Sequence, residues 1–308
     1  MTPAEACRSL EGVPPALLKR LDVTATGGRV EDERRLATLL GRHDAVVLDI
    51  ERVTSSLLSR CPRLRVISRF GIGYDAIDLA AAQQHRVRVT TTAGVSAQAV
   101  ARHALALTLA LAHRVVDNDA ALKAGRWTRE PNWPAAGMTL GIVGYGAIGR
   151  AMARMAAAAG FRIVLWSPHR KRSPYAAART LHDALRRADI ASLHLKLTPE
   201  TRGIIGAREL ALLHGKRLVN TARGGLVDEA ALLAALESGA VRGYATDVFC
   251  QEPPAGVSQA LARHPRVIAS PHVAALDEHT ARRMTERALE NIMYSLRGAH
   301  TKVNAYVV

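Results

Sequence analysis

Cysteine is scarce: the 308 residues contain three, Cys7, Cys61 and Cys250, with no CxxC pair and no Cys/His cluster. That excludes a disulfide-stapled scaffold and a structural zinc site, so no metal is expected, and it fits a reducing compartment. Aromatic residues are scarce too, at 4%, so the cores are built from aliphatic side chains. Long apolar runs are missing. The longest, near Ala104–Ala112, is less than half of the roughly 20 residues that span a bilayer. The N-terminal MTPAEACRSLEG lacks the basic start and apolar stretch of a secretory signal. A soluble, cytoplasmic protein with no membrane partner is expected. Acidic residues are outnumbered, 27 Asp and Glu against 42 Lys and Arg, for a net charge of +15, which favours anionic partners. The basic residues are nevertheless scattered, and the one tight run is His169–Arg172. With no basic stripe or recognisable module, nucleic acid is not an expected partner.

What is present is aliphatic and patterned. Apolar residues make up 48% of the chain, enough for two buried cores, and a prior of roughly 150 residues per domain suggests two domains. Short runs rich in Val, Ile and Leu alternate with Ala- and Leu-rich stretches carrying charges at helical spacing. Strands are predicted at Ala45–Asp49, Arg65–Ser68, Val87–Val89, Thr139–Val143, Arg162–Trp166, Ile190–Leu195, Arg217–Asn220, Tyr244–Val248 and Val267–Ala269. Continuous apolar strands, rather than alternating ones, indicate sheets covered on both faces. Helices of this length between them imply right-handed crossovers and parallel pairing. The fold class is therefore α/β, doubly wound. Two long helices are predicted at Ser96–Arg114 and about Asp277–Leu296.

The strongest local signal is Thr139-Leu-Gly-Ile-Val-Gly-Tyr-Gly-Ala-Ile-Gly149. It follows an apolar strand and opens an Ala-rich helix, the context that turns a GxGxxG into a dinucleotide site. Gly144 permits the tight turn, Gly146 lets backbone N–H groups approach a pyrophosphate, and Gly149 lets helix and strand pack closely. Ala147 and Ile148 lie at the helix start, where the dipole favours an anion. The acidic residue that would hold the ribose of NAD is expected at the end of Arg162–Trp166, but Ser167 stands there, followed by Pro168, His169, Arg170, Lys171 and Arg172. A carboxylate repels a 2′-phosphate, whereas a small hydroxyl beside a guanidinium accepts one. NADP(H) is therefore expected over NAD(H), through Ser167, His169 and Arg170.

Three later segments each place an ionisable residue just after a strand: Asn220-Thr-Ala-Arg223-Gly-Gly, Asp247-Val-Phe-Cys-Gln-Glu252-Pro and Ser270-Pro-His272. In a doubly wound sheet such positions line the ligand crevice, which makes Arg223, Glu252 and His272 candidates for one site. Together with Arg69-Phe-Gly-Ile-Gly-Tyr-Asp75 and the glycine turn, these segments make the chain resemble the D-isomer-specific 2-hydroxyacid dehydrogenases from about Leu64 to Asn304, including glyoxylate and hydroxypyruvate reductases and D-3-phosphoglycerate dehydrogenase.

The resemblance implies roles. Arg223 would hold a substrate carboxylate and polarise its keto group, which suits a planar guanidinium. His272 would exchange a proton with the carbonyl oxygen, and Glu252 would orient the imidazole and favour its charged form. The backbone of Gly71, Ile72 and Gly73 would bind the same carboxylate. Asp247 would lie beside the nicotinamide, and Leu195, Lys196 and Thr221 would line the cofactor cleft. The chain departs from the family pattern at Thr91, Ala93, Arg102, Lys196 and Ala275–Asp277.

Two domains around a cleft are expected: a discontinuous substrate domain of residues 1–97 and 281–308, and a dinucleotide domain of residues 98–280. The resemblance implies a homodimer and the reversible conversion of a small anionic 2-keto acid, of glyoxylate or hydroxypyruvate type, into its D-2-hydroxy acid. A dinucleotide-sensing corepressor with little turnover is the alternative, since such relatives keep the same three residues. Oxidation of a non-carboxylate substrate is a third option.

Overall fold

The computed structural model describes residues 10, 13–25, 30, 32–127, 129, 131–169, 172–303 and 305–308. The chain divides into two compact units, Met1–Ser96 with Leu276–Val308, and Ala97–Ala275.

The first unit is built on three parallel strands in sequence order, β1 (Ala45–Leu48), β2 (Val66–Arg69) and β3 (Arg88–Thr91). Side-chain oxygens start its helices: Asp32, Thr54 and Asp78 accept from the backbone N–H groups of Arg35, Leu57 and Ala81. These caps satisfy donors that the first helical turn leaves open. The long helix Glu278–Leu296 is capped by Asp277 and packs on β2. The C-terminal residues cover the outer edge of β3: the Thr91 and Val89 amides donate to the Ala305 and Val308 carbonyls, and Tyr306 bridges antiparallel to Thr90. An edge covered in this way is closed to pairing with another chain.

The second unit holds seven parallel strands: β4 (Thr139–Val143), β5 (Arg162–Trp166), β6 (Ala176–Ala177), β7 (Ile190–Leu193), β8 (Arg217–Asn220), β9 (Gly243–Thr246) and β10 (Val267–Ala269). Their order is β10-β9-β8-β7-β4-β5-β6. The winding reverses between β4 and β7, so the crevice of this sheet opens beyond their carboxyl ends. Every residue of β4, β7, β8 and β9 is buried, as expected for strands covered on both faces. Leu140, Ile142, Ile190, Leu193 and Leu218 are fully buried there.

The helix Ala97–Ala112 packs on the helix Ala147–Ala158 through alanines, among them Ala101, Ala104, Ala153 and Ala156, all at 0% exposure. Small side chains let the two axes approach closely. The first helix stops where Arg114 turns left-handed (φ +51°) and the Trp133 amide takes the Ala112 carbonyl. The α/β class read from the sequence holds in both units. The two-residue edge strand Ala176–Ala177 was not expected; it is exposed and has no apolar run to announce it. Among the described residues no single helix is long and apolar enough to cross a membrane, and no cluster of His, Cys, Asp and Glu could hold a metal.

Candidate active site

The glycine turn after β4 has the geometry its spacing predicts. Gly144 is left-handed (φ +101°), its N–H donates to the Trp166 carbonyl (2.7 Å), and a Cβ there would strike the His194 carbonyl. A Cβ on Gly149 would collide with the Gly144 carbonyl oxygen, so turn and helix are locked together. Gly146 differs. Its φ of −79° is ordinary, it provides no side-chain cap for Ala147–Ala158, and a Cβ there would meet nothing within 4 Å. The amides of Ala147 and Ile148 thus begin a helix whose mouth is open.

Around that mouth two buried polar atoms have no hydrogen-bond partner, His194 Nδ1 and Thr221 Oγ1. They follow β7 and β8 at paired positions, Leu193 against Asn220; His194 adjoins the turn after β4, and Thr221 lies one strand further along the same sheet end. An open cradle at a helix N-terminus with orphaned polar groups beside it fits a dinucleotide. Leu195 also touches the turn, with Cδ2 3.0 Å from a Cβ built on Gly144, and Lys196 is exposed. Burial holds the His194 pKa down at about 4, so this ring is neutral. Sequence reading passed over His194; a polar residue straight after a buried strand at the winding reversal was the available signal. Ser167 is half-buried at the end of β5 and His169 is exposed, while Arg170 and Lys171 lie outside the described residues.

Arg223, Glu252 and His272 come together at the far side of the same sheet end. Asn220, fully buried, forms the Arg223 turn by accepting from the Ala222 amide (3.0 Å) and donating to the Arg223 carbonyl (2.9 Å). A Cβ on the next residue, Gly224, would collide with the backbone of Phe249 and Cys250, which presses the arginine turn onto the segment carrying Glu252. Glu252 Oε1 accepts from the Phe249 amide (2.9 Å), and Oε2 pairs with His272 Nδ1 at 2.7 Å.

Burial works against the imidazolium of His272, but the Glu252 hydrogen bond and charge outweigh it, and its pKa rises above the ordinary 6.5 despite opposition from Arg223. Burial likewise opposes ionisation of Glu252, yet His272, the Phe249 amide and Arg223 hold its pKa below the usual 4.5. The pairing favours a carboxylate beside an imidazolium, with Nε2 left for chemistry. Burial and nearby Glu229 push the Cys250 thiol up to about 11, so it is a poor nucleophile.

Asp247, 1% exposed, has both oxygens occupied: Oδ1 accepts from Ser270 Oγ and the Val273 amide, and Oδ2 from the Ala274 amide. It shapes the loop that bears His272. In the first unit, Gly71 is left-handed and its N–H donates to Thr92 Oγ1 (2.9 Å), while Arg69 Nε donates to the Gly73 carbonyl (2.8 Å). The Gly71 amide is thus already in use; Ile72 and Gly73 complete the turn. Arg102 is exposed.

Residues 105–274 match the D-isomer-specific 2-hydroxyacid dehydrogenase NAD-binding domain. The chain belongs to that family. A glyoxylate reductase of Aeropyrum pernix is 39% identical over 262 residues, 80% of this chain and 78% of that protein. A hydroxypyruvate reductase of Thermotoga maritima is 32% identical over 285 residues, 91% of this chain and 93% of that one. The crystal structure of a D-lactate dehydrogenase from Aquifex aeolicus, complexed with NAD and lactic acid, superposes with a TM-score of 0.87 at 25% identity, covering 96% of each chain. As a member of the D-2-hydroxyacid dehydrogenases, the protein is an oxidoreductase, and its second unit is a nicotinamide-dinucleotide-binding domain.

Proposed function

We propose that the protein reduces a small 2-keto acid of glyoxylate or hydroxypyruvate type to its D-2-hydroxy acid, reversibly, with NADP(H) preferred over NAD(H). The observation that carries this reading is the 2.7 Å pair of His272 Nδ1 and Glu252 Oε2, with Arg223 close enough to act on the charge of both. The names of the similar reductases support the substrate class.

A nicotinamide dinucleotide, when bound, supplies or accepts the hydride. Gly144, Gly146 and the amides of Ala147 and Ile148 hold its pyrophosphate, with Gly149, Leu195, Lys196 and Thr221 around it. Ser167, His169 and Arg170 favour a 2′-phosphate. Arg223 binds the substrate carboxylate through paired N–H groups and draws electron density from the keto oxygen. In reduction, His272 gives the Nε2 proton to that oxygen as the alkoxide forms; in oxidation, the neutral ring takes the hydroxyl proton back. Glu252 keeps Nδ1 protonated throughout and stabilises the imidazolium. The substrate turn belongs to the first unit, Met1–Ser96 with Leu276–Val308, where Ile72 and Gly73 offer amides while Gly71 is tied to Thr92. A homodimer formed through the second unit is part of the reading. Its support is exposed apolar surface there: Val115 55%, Val116 44%, Leu122 57% and Trp127 80%.

The test is a panel of 2-keto acids assayed with NADPH and with NADH, followed by absorbance. Turnover that vanishes in Arg223→Ala and His272→Ala is expected, with faster rates on NADPH. Equal or faster rates on NADH overturn the cofactor preference, and dinucleotide binding without turnover on any keto acid returns the reading to a sensor.

A further inference from the structure

The loop that carries His272 is held by a chain of side chains reaching back to a helix. His103, on Ala97–Ala112, has Nε2 2.9 Å from Ser270 Oγ and 3.6 Å from Asp247 Oδ1. Ser270 Oγ lies 2.6 Å from Asp247 Oδ1. An ionised carboxylate only accepts, so the Ser270 proton points to Asp247, and the hydroxyl must accept from His103. That fixes the proton of His103 on Nε2. Asp247 then holds the Val273 and Ala274 amides at 2.9 and 2.8 Å, the two residues after His272. His272 itself has φ +56°, a left-handed conformation that costs a histidine energy and persists only when its surroundings enforce it. Ser270 stands just before it, and Asp247 grips the backbone just after it.

We propose that His103 and Ser270 are positioning residues for His272: the chain His103–Ser270–Asp247 sets the backbone from Ser270 to Ala274, and thereby aims the imidazole at Glu252. The inference rests on the proposed role of His272. The charged and titratable groups facing the assembly are Glu252, Arg223 and Asp247 around His272, and His103 on Asp247. Among the described residues neither the His103 nor the Ser270 side chain hydrogen-bonds the His272 ring, which pairs with Glu252, so their effect passes through the backbone.

Two pairs of variants separate aim from mere support. Ser270→Ala and His103→Leu break the chain; Ser270→Thr keeps the hydroxyl, and His103→Gln keeps an N–H donor of similar reach. In the full chain, the broken variants should lose about tenfold to a hundredfold in kcat, the scale of a misplaced catalytic group, with KM for NADPH within about twofold. The conservative variants should recover to within about threefold of wild type on the same reasoning. An NMR titration of the His272 imidazole, assigned against His272→Asn and recorded without cofactor, should move toward the ordinary histidine value in the broken variants and return in the conservative ones. Wild-type kcat and titration in Ser270→Ala and His103→Leu overturn the proposal. So does a loss that Ser270→Thr and His103→Gln fail to rescue, since that reports packing alone. If the wild-type protein turns over no 2-keto acid, the functional reading falls, while the titration still decides whether this chain aims His272.

Discussion

His272 Nδ1 and Glu252 Oε2 lie 2.7 Å apart, and each shifts the other toward its charged form. The two shifts define a pH window. His272 has its folded pKa raised, so its contribution to stability is complete below the ordinary 6.5 and is lost as pH rises through the raised value. Glu252 has its folded pKa depressed, so its contribution is present above 4.5 and is lost as pH falls through the lowered value. Keto-acid reduction needs the imidazolium, so kcat for reduction should fall with a single limb above pH 6.5, while the oxidation rate rises over the same range. Glu252→Gln removes the charge and should move that limb to lower pH, with kcat down about tenfold or more near neutrality. A limb that stays in place in Glu252→Gln, read from kcat profiles in both directions, rules out this pairing as its origin.

The three glycines of the turn should respond differently to the same added methyl group. At Gly149 the new Cβ collides with the Gly144 carbonyl, a backbone atom that cannot move aside cheaply. Gly149→Ala should destabilise the fold by at least about 2 kcal/mol, seen in denaturant unfolding. At Gly146 the Cβ enters open space with an ordinary φ of −79°. Gly146→Ala should therefore melt within a few degrees of wild type yet bind NADPH about tenfold or more weakly, because the methyl occupies the approach to the helix N-terminus. Unchanged NADPH affinity in Gly146→Ala, measured by calorimetry, would place the pyrophosphate elsewhere.

Much of this was legible from residues alone because the physics was local. Thr139–Val143, Arg162–Trp166 and Arg217–Asn220 are apolar runs with clear breakers, and their boundaries match the structure. That Arg223, Glu252 and His272 are candidates for one site was legible because all three follow strands whose ends meet in a parallel sheet, while the pairing of Glu252 with His272 was legible only through the family resemblance. What escaped depended on partners remote in sequence. The 103-to-270 contact spans 167 residues, and no spacing rule links a helix histidine to a loop serine. Asp247 was expected beside the nicotinamide; that it also accepts from Ser270 and two amides of the 270–274 loop was not foreseen. The Gly71 amide looked available until the fold brought Thr92 against it. Ala176–Ala177 is too short and too exposed to carry a pattern.

Thr221 gives a prediction in which stability and binding change in opposite senses. Its hydroxyl is buried at the carboxyl end of β8, with no hydrogen-bond partner in the protein. Burying a hydroxyl without a partner costs free energy, and replacing it by a methyl group of the same shape relieves that cost. Thr221→Val should therefore stabilise the ligand-free protein by about 1 kcal/mol, read as a higher melting temperature. Thr221 lies at the same end of the sheet as the glycine turn, where a polar ligand would satisfy the hydroxyl, so the variant should bind NADPH several-fold more weakly. The stabilising effect belongs to the free protein, and ligand binding adds less in the variant because stabilisation by a ligand follows its affinity. A melting temperature that falls in Thr221→Val, with NADPH affinity unchanged, would mean that the hydroxyl already has a partner, such as an ordered water, and plays no part in holding the dinucleotide.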